Sequence, residues 1–218
     1  QKRNKNFTDL AMPLRSSWRL LVLCLAFWLR GFAGLSSFCS AHAASKRRPR
    51  AGRCVRFAVR SEKAARVLVP IARQSDAVST TCLSDVLTRA GAAVTVASVD
   101  RKLEVTTSCG LRIKADASIE DCLGDWAAIA CPGGEEGAER LCDCKALVGL
   151  LREQRRKGGL IAAVGEAPAV LLAENRLLEY DEKATGYPSP RMKKALSAAC
   201  AGWWDAEVVV DRRVITSK

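Results

Sequence analysis

From residue 66 onward the apolar positions switch repeatedly between two rhythms. Arg66-Val-Leu-Val-Pro-Ile-Ala72 is a nearly continuous apolar run, the pattern of a short parallel strand buried on both faces. Val78, Cys82, Leu83, Val86, Leu87 and Ala90 then fall at helical spacing, and Gly91 closes the run as a C-cap does. Ala92–Ser98 reads as a second strand. Leu103–Thr107 and Leu111–Ala115 alternate across Ser108-Cys109-Gly110, which predicts a hairpin. Trp126–Cys131 is another buried strand, leading into Pro132-Gly133-Gly134. Residues 138–157 read as one helix ending in Arg155-Arg156-Lys157, a composition that complements the helix dipole. Leu160–Val164 is a further strand, followed by a helix with Pro168 in its first turn. Arg191–Ala199 is helical, and Glu207–Val210 and Val214–Thr216 are closing strands around Asp211-Arg212-Arg213. Strands alternating with helices predict an α/β fold with a mainly parallel sheet covered on both faces. Chemistry in such a fold sits beyond the carboxyl ends of the strands, in the loops after Ala72, Cys131 and Val164.

Charge divides the 218 residues in two. Of 35 Lys/Arg and 23 Asp/Glu, residues 1–63 hold 14 and two, so the remaining 21 of each cancel in 64–218 and the net +12 belongs to the leading segment. The domain therefore gives no electrostatic reason to expect nucleic acid as a partner. In the leading segment Met12 is the plausible start; Arg15 and Arg19 precede the apolar run Leu20–Leu29, and Ala41-His42-Ala43 offers small residues for a signal peptidase. Ten apolar residues suit a signal-peptide core better than a membrane span. Residues 44–64 carry eight Lys/Arg against one acid, like an organelle transit peptide. The expected layout is a signal-peptide-like leader (1–43), a transit-like linker (44–64) and a domain from 65 to 218 that resides in no membrane. Such a bipartite leader points to a plastid of secondary origin, with secretion, or the cytoplasm if the upstream stretch is not translated, as alternatives.

Ten cysteines suggest disulfides until they are placed. Three lie before residue 64, and the other seven have irregular spacing with no CxxC pair. The expectation is a mostly reduced domain, with Cys142-Asp143-Cys144 structural because no third ligand is near, and no metal or cofactor.

The run Gly159-Leu-Ile-Ala-Ala-Val-Gly165-Glu166-Ala167-Pro168 has the form of a strand, a strained elbow and a helix. It resembles the nucleophile elbow of the ThiJ/PfpI superfamily, which includes the Parkinson-disease protein deglycase and shares a class I glutamine amidotransferase-like fold. The resemblance extends from Arg66–Ala72 through Asp85-Val86-Leu87, Val94–Ala97, Ala115-Asp116-Ala117-Ser118 and the Pro132-Gly133-Gly134 turn. It implies a flavodoxin-like three-layer sandwich, commonly a homodimer, whose active members act on methylglyoxal or glycated groups or serve as redox-responsive chaperones. It also implies a glycine-rich turn and final helix after Thr216-Ser217, whereas the sequence stops at Lys218, so either the sequence is truncated there or one sheet face is left bare.

Carried across, the catalytic parts do not all persist. The position of the reactive cysteine is Gly165, that of its partner carboxylate is Ser79 with Asp76 three residues earlier, and a position that varies in the family is Tyr187. Gly133, Gly134, Glu166 and Ala167 keep the surrounding pocket, and Gly134 the backbone donor for an oxyanion. Without a thiol or substitute nucleophile, covalent chemistry at this bend is impossible. Glu166 reads as a helix-start residue, Cys109 as an exposed, oxidisable thiol, Cys131 as core, and Trp203-Trp204 as core or interface packing. The expected function is a catalytically impaired binding, chaperone-like or stress-response homodimer with a small carbonyl or protein ligand. A glyoxalase or deglycase with a relocated nucleophile and a cysteine redox sensor are the alternatives.

Overall fold

The computed structural model of the chain describes residues 64–218; the leader, linker and cysteines expected before residue 64 lie outside them. A seven-stranded sheet runs in the order β5-β2-β1-β6-β7-β9-β8. Its strands are β1 (Arg66–Ile71), β2 (Ala93–Ser98), β5 (Ala117–Ser118), β6 (Ala128–Cys131), β7 (Leu160–Val164), β8 (Val208–Asp211) and β9 (Val214–Ser217). All neighbours pair in parallel except β8 with β9. The expected hairpin is present as β3 (Glu104–Thr106) against β4 (Arg112–Lys114), apart from the main sheet. The fold is the α/β architecture with a mainly parallel sheet that the pattern implied, in the flavodoxin-like form that the resemblance implied.

Alternation along β1 sends Val67, Val69 and Ile71 to one face and Leu68 to the other, and all are buried. On the first face α1 (Ala77–Arg89) contributes Leu83 and Leu87. The opposite face carries the helices α2 (Glu135–Asp143), α3 (Lys145–Arg156) and α4 (Pro190–Ala199), with a π-helical stretch at Pro168–Ala173. Leu160, Ala162, Val164 and Ile215, on the same face as α1, are each at most 1% exposed.

The single helix expected over 138–157 is two. Cys144, at φ −76° and ψ 100°, ends α2 and begins α3. Ala138 and Leu141 share one helical stripe, but on the same straight helix Leu147 would fall opposite Ala138 and Leu151 about 80° round from Leu141, so the two pairs would not face the sheet together. All four are fully buried, and breaking the helix at Cys144 lets both stripes face the sheet. The helix expected after Val164 has a π-helical core at Pro168–Ala173, wholly buried; π-helical turns often occur beside functional sites.

Because β1, β6 and β7 are adjacent and parallel, the loops after Ile71, Cys131 and Val164 meet at one edge of the sheet, as expected for this topology.

Candidate active-site niche

The three loops converge through backbone bonds. Asp76 N donates to Gly133 O at 2.8 Å, and the same Asp76 caps α1, its Oδ2 accepting from Ser79 N at 2.7 Å. That bond turns the Asp76 carboxylate toward the helix. Gly134 sits at φ 99°, and a Cβ there would lie 2.7 Å from Asp76 N and 2.9 Å from Gln74 O. The close approach of the first two loops thus requires glycine.

Gly165 follows β7 at φ 63°, the left-handed bend that an elbow demands. Its N–H donates to Ser217 O and its carbonyl accepts from Tyr187 N at 2.7 Å. A Cβ on Gly165 would meet only Gly133 Cα, at 3.5 Å, so the bend has room for a side chain that the sequence does not supply. Tyr187 reaches the bend through its backbone, while its side chain is about half exposed. The neighbouring Gly186 carbonyl accepts from Trp203 Nε1 at 3.2 Å. Trp203 thereby braces the segment beside the bend, a role that the Trp203-Trp204 pair did not disclose in sequence. Lys193 and Lys218 stack on the Trp203 ring and Lys183 on Trp204.

The hydroxyl of Ser79, a fully buried residue, takes part in two bonds: its Oγ donates to Asp76 O at 3.1 Å and accepts from Gly133 N at 3.2 Å. The neighbouring amide, Gly134 N, donates to Glu166 Oε2 at 2.8 Å. Glu166 does begin the segment after the elbow, its carbonyl accepting from Ala169 N and Val170 N, but its carboxylate reaches across to the glycine turn of another loop. Ala167 is fully buried behind it. Both N–H groups of the turn are thus satisfied by side chains of the chain itself.

The thiols lie apart from this arrangement. Cys131 is buried at the end of β6, and burial pushes its thiol up to about 12. Cys109 is exposed at the hairpin tip, 3.4 Å from Thr107 Oγ1; that hydroxyl, and next the Leu111 backbone, hold its thiol below the ordinary cysteine value. The hairpin touches the niche from outside, with Ser108 N donating to Ser75 O at 3.1 Å. The seven described cysteines are free. Among the described residues no three His, Cys, Asp or Glu are grouped to hold a metal ion, and no helix is long and apolar enough to cross a membrane.

The DJ-1/PfpI family profile matches residues 65–218. The chain is 38% identical over 153 residues to Protein DJ-1 homolog A of Arabidopsis thaliana, an alignment covering 70% of this chain and 38% of that protein. The chain thus spans well under half of that relative's length. It is 31% identical over 159 residues to the Caenorhabditis elegans protein named glutathione-independent glyoxalase DJR-1.2, covering 72% of this chain and 81% of that protein. The solved structure of oxidized Toxoplasma gondii DJ-1 superposes with a TM-score of 0.67 at 38% identity, over 71% of this chain and 82% of that one. With the elbow, the glycine turn and the parallel sheet in place, the chain belongs to the DJ-1/PfpI family.

Proposed function

We propose that this chain is a catalytically impaired member of its family, a homodimer that binds a protein or small carbonyl ligand in a chaperone-like or stress-response role. One observation carries the reading: the backbone bend and the space for a nucleophile are present at Gly165, but no side chain fills them. The state of Ser79 supports it, since its hydroxyl is held by Asp76 and Gly133. A homodimer follows from the family resemblance and accords with Val78 on α1 and Leu111 beside the hairpin tip, both more than half exposed. The leading 63 residues fit delivery to an organelle by the secretory route.

Incubating the full chain with methylglyoxal and following the dicarbonyl should show loss no faster than without protein. Turnover that disappears in Glu166→Ala or Cys109→Ser would overturn the reading in favour of a glyoxalase with a relocated nucleophile. Sedimentation of the same protein at micromolar concentration should give the dimer, and a monomer would remove that part.

A second reading, a thiol redox sensor, has a specific observation in its favour: Cys109 is exposed, and its thiol is eased toward the thiolate by Thr107. Peroxide titration with peptide mapping should then oxidise Cys109 well before the other described cysteines. Uniform oxidation would discard it.

A further inference from the structure

The proposal above rests on what the bend lacks; a second feature concerns what the niche contains. A backbone N–H inside a protein needs a partner, and a turn amide aimed at a carbonyl-binding space ordinarily finds it in ligand or water. Here Gly134 N–H is 2.8 Å from Glu166 Oε2. The same oxygen lies 3.2 Å from where a Gly133 Cβ would stand, so the carboxylate rests over the Gly133-Gly134 turn. A Cβ on Gly165 would approach Gly133 Cα at 3.5 Å, bordering the same turn. Gly165 leaves its own side of the turn open, while the Glu166 carboxylate lies on the Gly134 amide. The companion amide, Gly133 N, is taken by Ser79 Oγ. Among the described residues no Lys or Arg pairs with Glu166, and its carboxylate has Gly134 N–H as its hydrogen-bond donor.

We infer that Glu166 is a specificity-determining residue: its carboxylate is a resident anion that closes the Gly134 donor to carboxylates and to the oxyanions of carbonyl adducts. This deepens the impaired-enzyme reading, on which it rests, by adding a second block beside the absent thiol. An external oxyanion meets both a filled donor and a like charge, and both oppose binding. Removing the carboxylate leaves a turn amide without a partner beside open space, which is a site for a small carboxylate.

The test follows the Gly134 amide resonance in 15N-labelled full chain during titration with sodium acetate, with sodium chloride at equal ionic strength as reference. In the wild type the resonance should not move. In Glu166→Ala it should shift downfield and saturate. In Glu166→Gln, whose amide oxygen can still accept from Gly134, it should stay still as in the wild type. A wild type that responds like Glu166→Ala, or a Glu166→Ala that does not respond, overturns the inference. A response of Glu166→Gln equal to that of Glu166→Ala also overturns it, by assigning the effect to charge at a distance instead of occupancy. The rest of the amide spectrum reports folding, and Glu166→Ser replaces the alanine variant if that one is unfolded. The acetate readout is independent of turnover, so methylglyoxal consumption by the wild type would sink the functional reading alone.

Discussion

At Gly165 the left-handed backbone and the open space make separable predictions. The conformation at φ 63° disfavours any Cβ, by about 1–2 kcal/mol, while the nearest atom to that Cβ is at ordinary contact distance, 3.5 Å. Gly165→Ala and Gly165→Cys should therefore fold and lose roughly that much stability in urea titrations. Gly134→Ala combines φ 99° with backbone atoms at 2.7 and 2.9 Å, so its loss should exceed that of Gly165→Ala. Equal losses would mean that the loop carrying Asp76 yields easily. The cysteines divide on the same scale. A brief iodoacetamide pulse on native protein should label Cys109, exposed and eased toward the thiolate, and spare Cys131, buried and held near 12. Labelling of Cys131 first would contradict its place in the core. The bend at Gly165 was legible in sequence because a strand, an elbow and a helix follow a local pattern, whereas Ser79 was singled out by the family resemblance. The bond from Glu166 to Gly134 was not, because it joins residues 32 apart in the chain through a side chain that no periodicity records.

Among the elements, the strands were the most legible, since buried parallel strands are written as continuous apolar runs. The break at Cys144 was hidden because no Gly or Pro marks it; only the mismatch between the stripes of α2 and α3 requires it. A second hidden feature holds α3 in place. Arg155 reaches from α3 to Glu182, bonding Oε1 at 3.1 Å and Oε2 at 3.0 Å, while Glu179 N donates to the same Oε2 at 3.0 Å. Glu182 is fully buried and Arg155 partly so. Glu182→Ala would leave Arg155 with the more exposed Glu179 carboxylate at 3.2 Å, a loss below the roughly 3–5 kcal/mol of a wholly unpaired buried charge and measurable by urea unfolding. Burial raises the Glu182 carboxyl above its ordinary 4.5, with Arg155 pulling the other way. A raised carboxyl binds its proton more tightly in the folded state than in the unfolded. Its contribution to stability is fully present below 4.5 and falls away as pH rises through the folded value. Between those two values the wild type should lose stability with rising pH relative to Glu182→Gln, which cannot titrate there. A constant difference between the two across that window would show that Arg155 cancels the effect of burial.

At the scale of the molecule, charge and fold occupy different parts of the chain. All of the net +12 lies in residues 1–63, and residues 64–218 balance to zero, with surface pairs such as Arg191 with Glu135 and Glu139 and Lys157 with Asp125 and Glu153. Basic residues attract nucleic acid by displacing its counterions, whatever the base sequence, and the effect weakens steeply with salt. The full chain should therefore retard duplex DNA at low salt and release it as salt rises. A proteolytic fragment beginning near residue 64 should not retard it at any salt. The same pair should separate on a negatively charged resin at neutral pH, the full chain held, as its isoelectric point of about 9.5 requires, and the fragment passing through. DNA binding that survives in the fragment would place a basic surface on the folded part despite its balanced charge. Binding confined to the full chain would make the attraction a property of the leading segment, removed wherever that segment is cleaved from the domain.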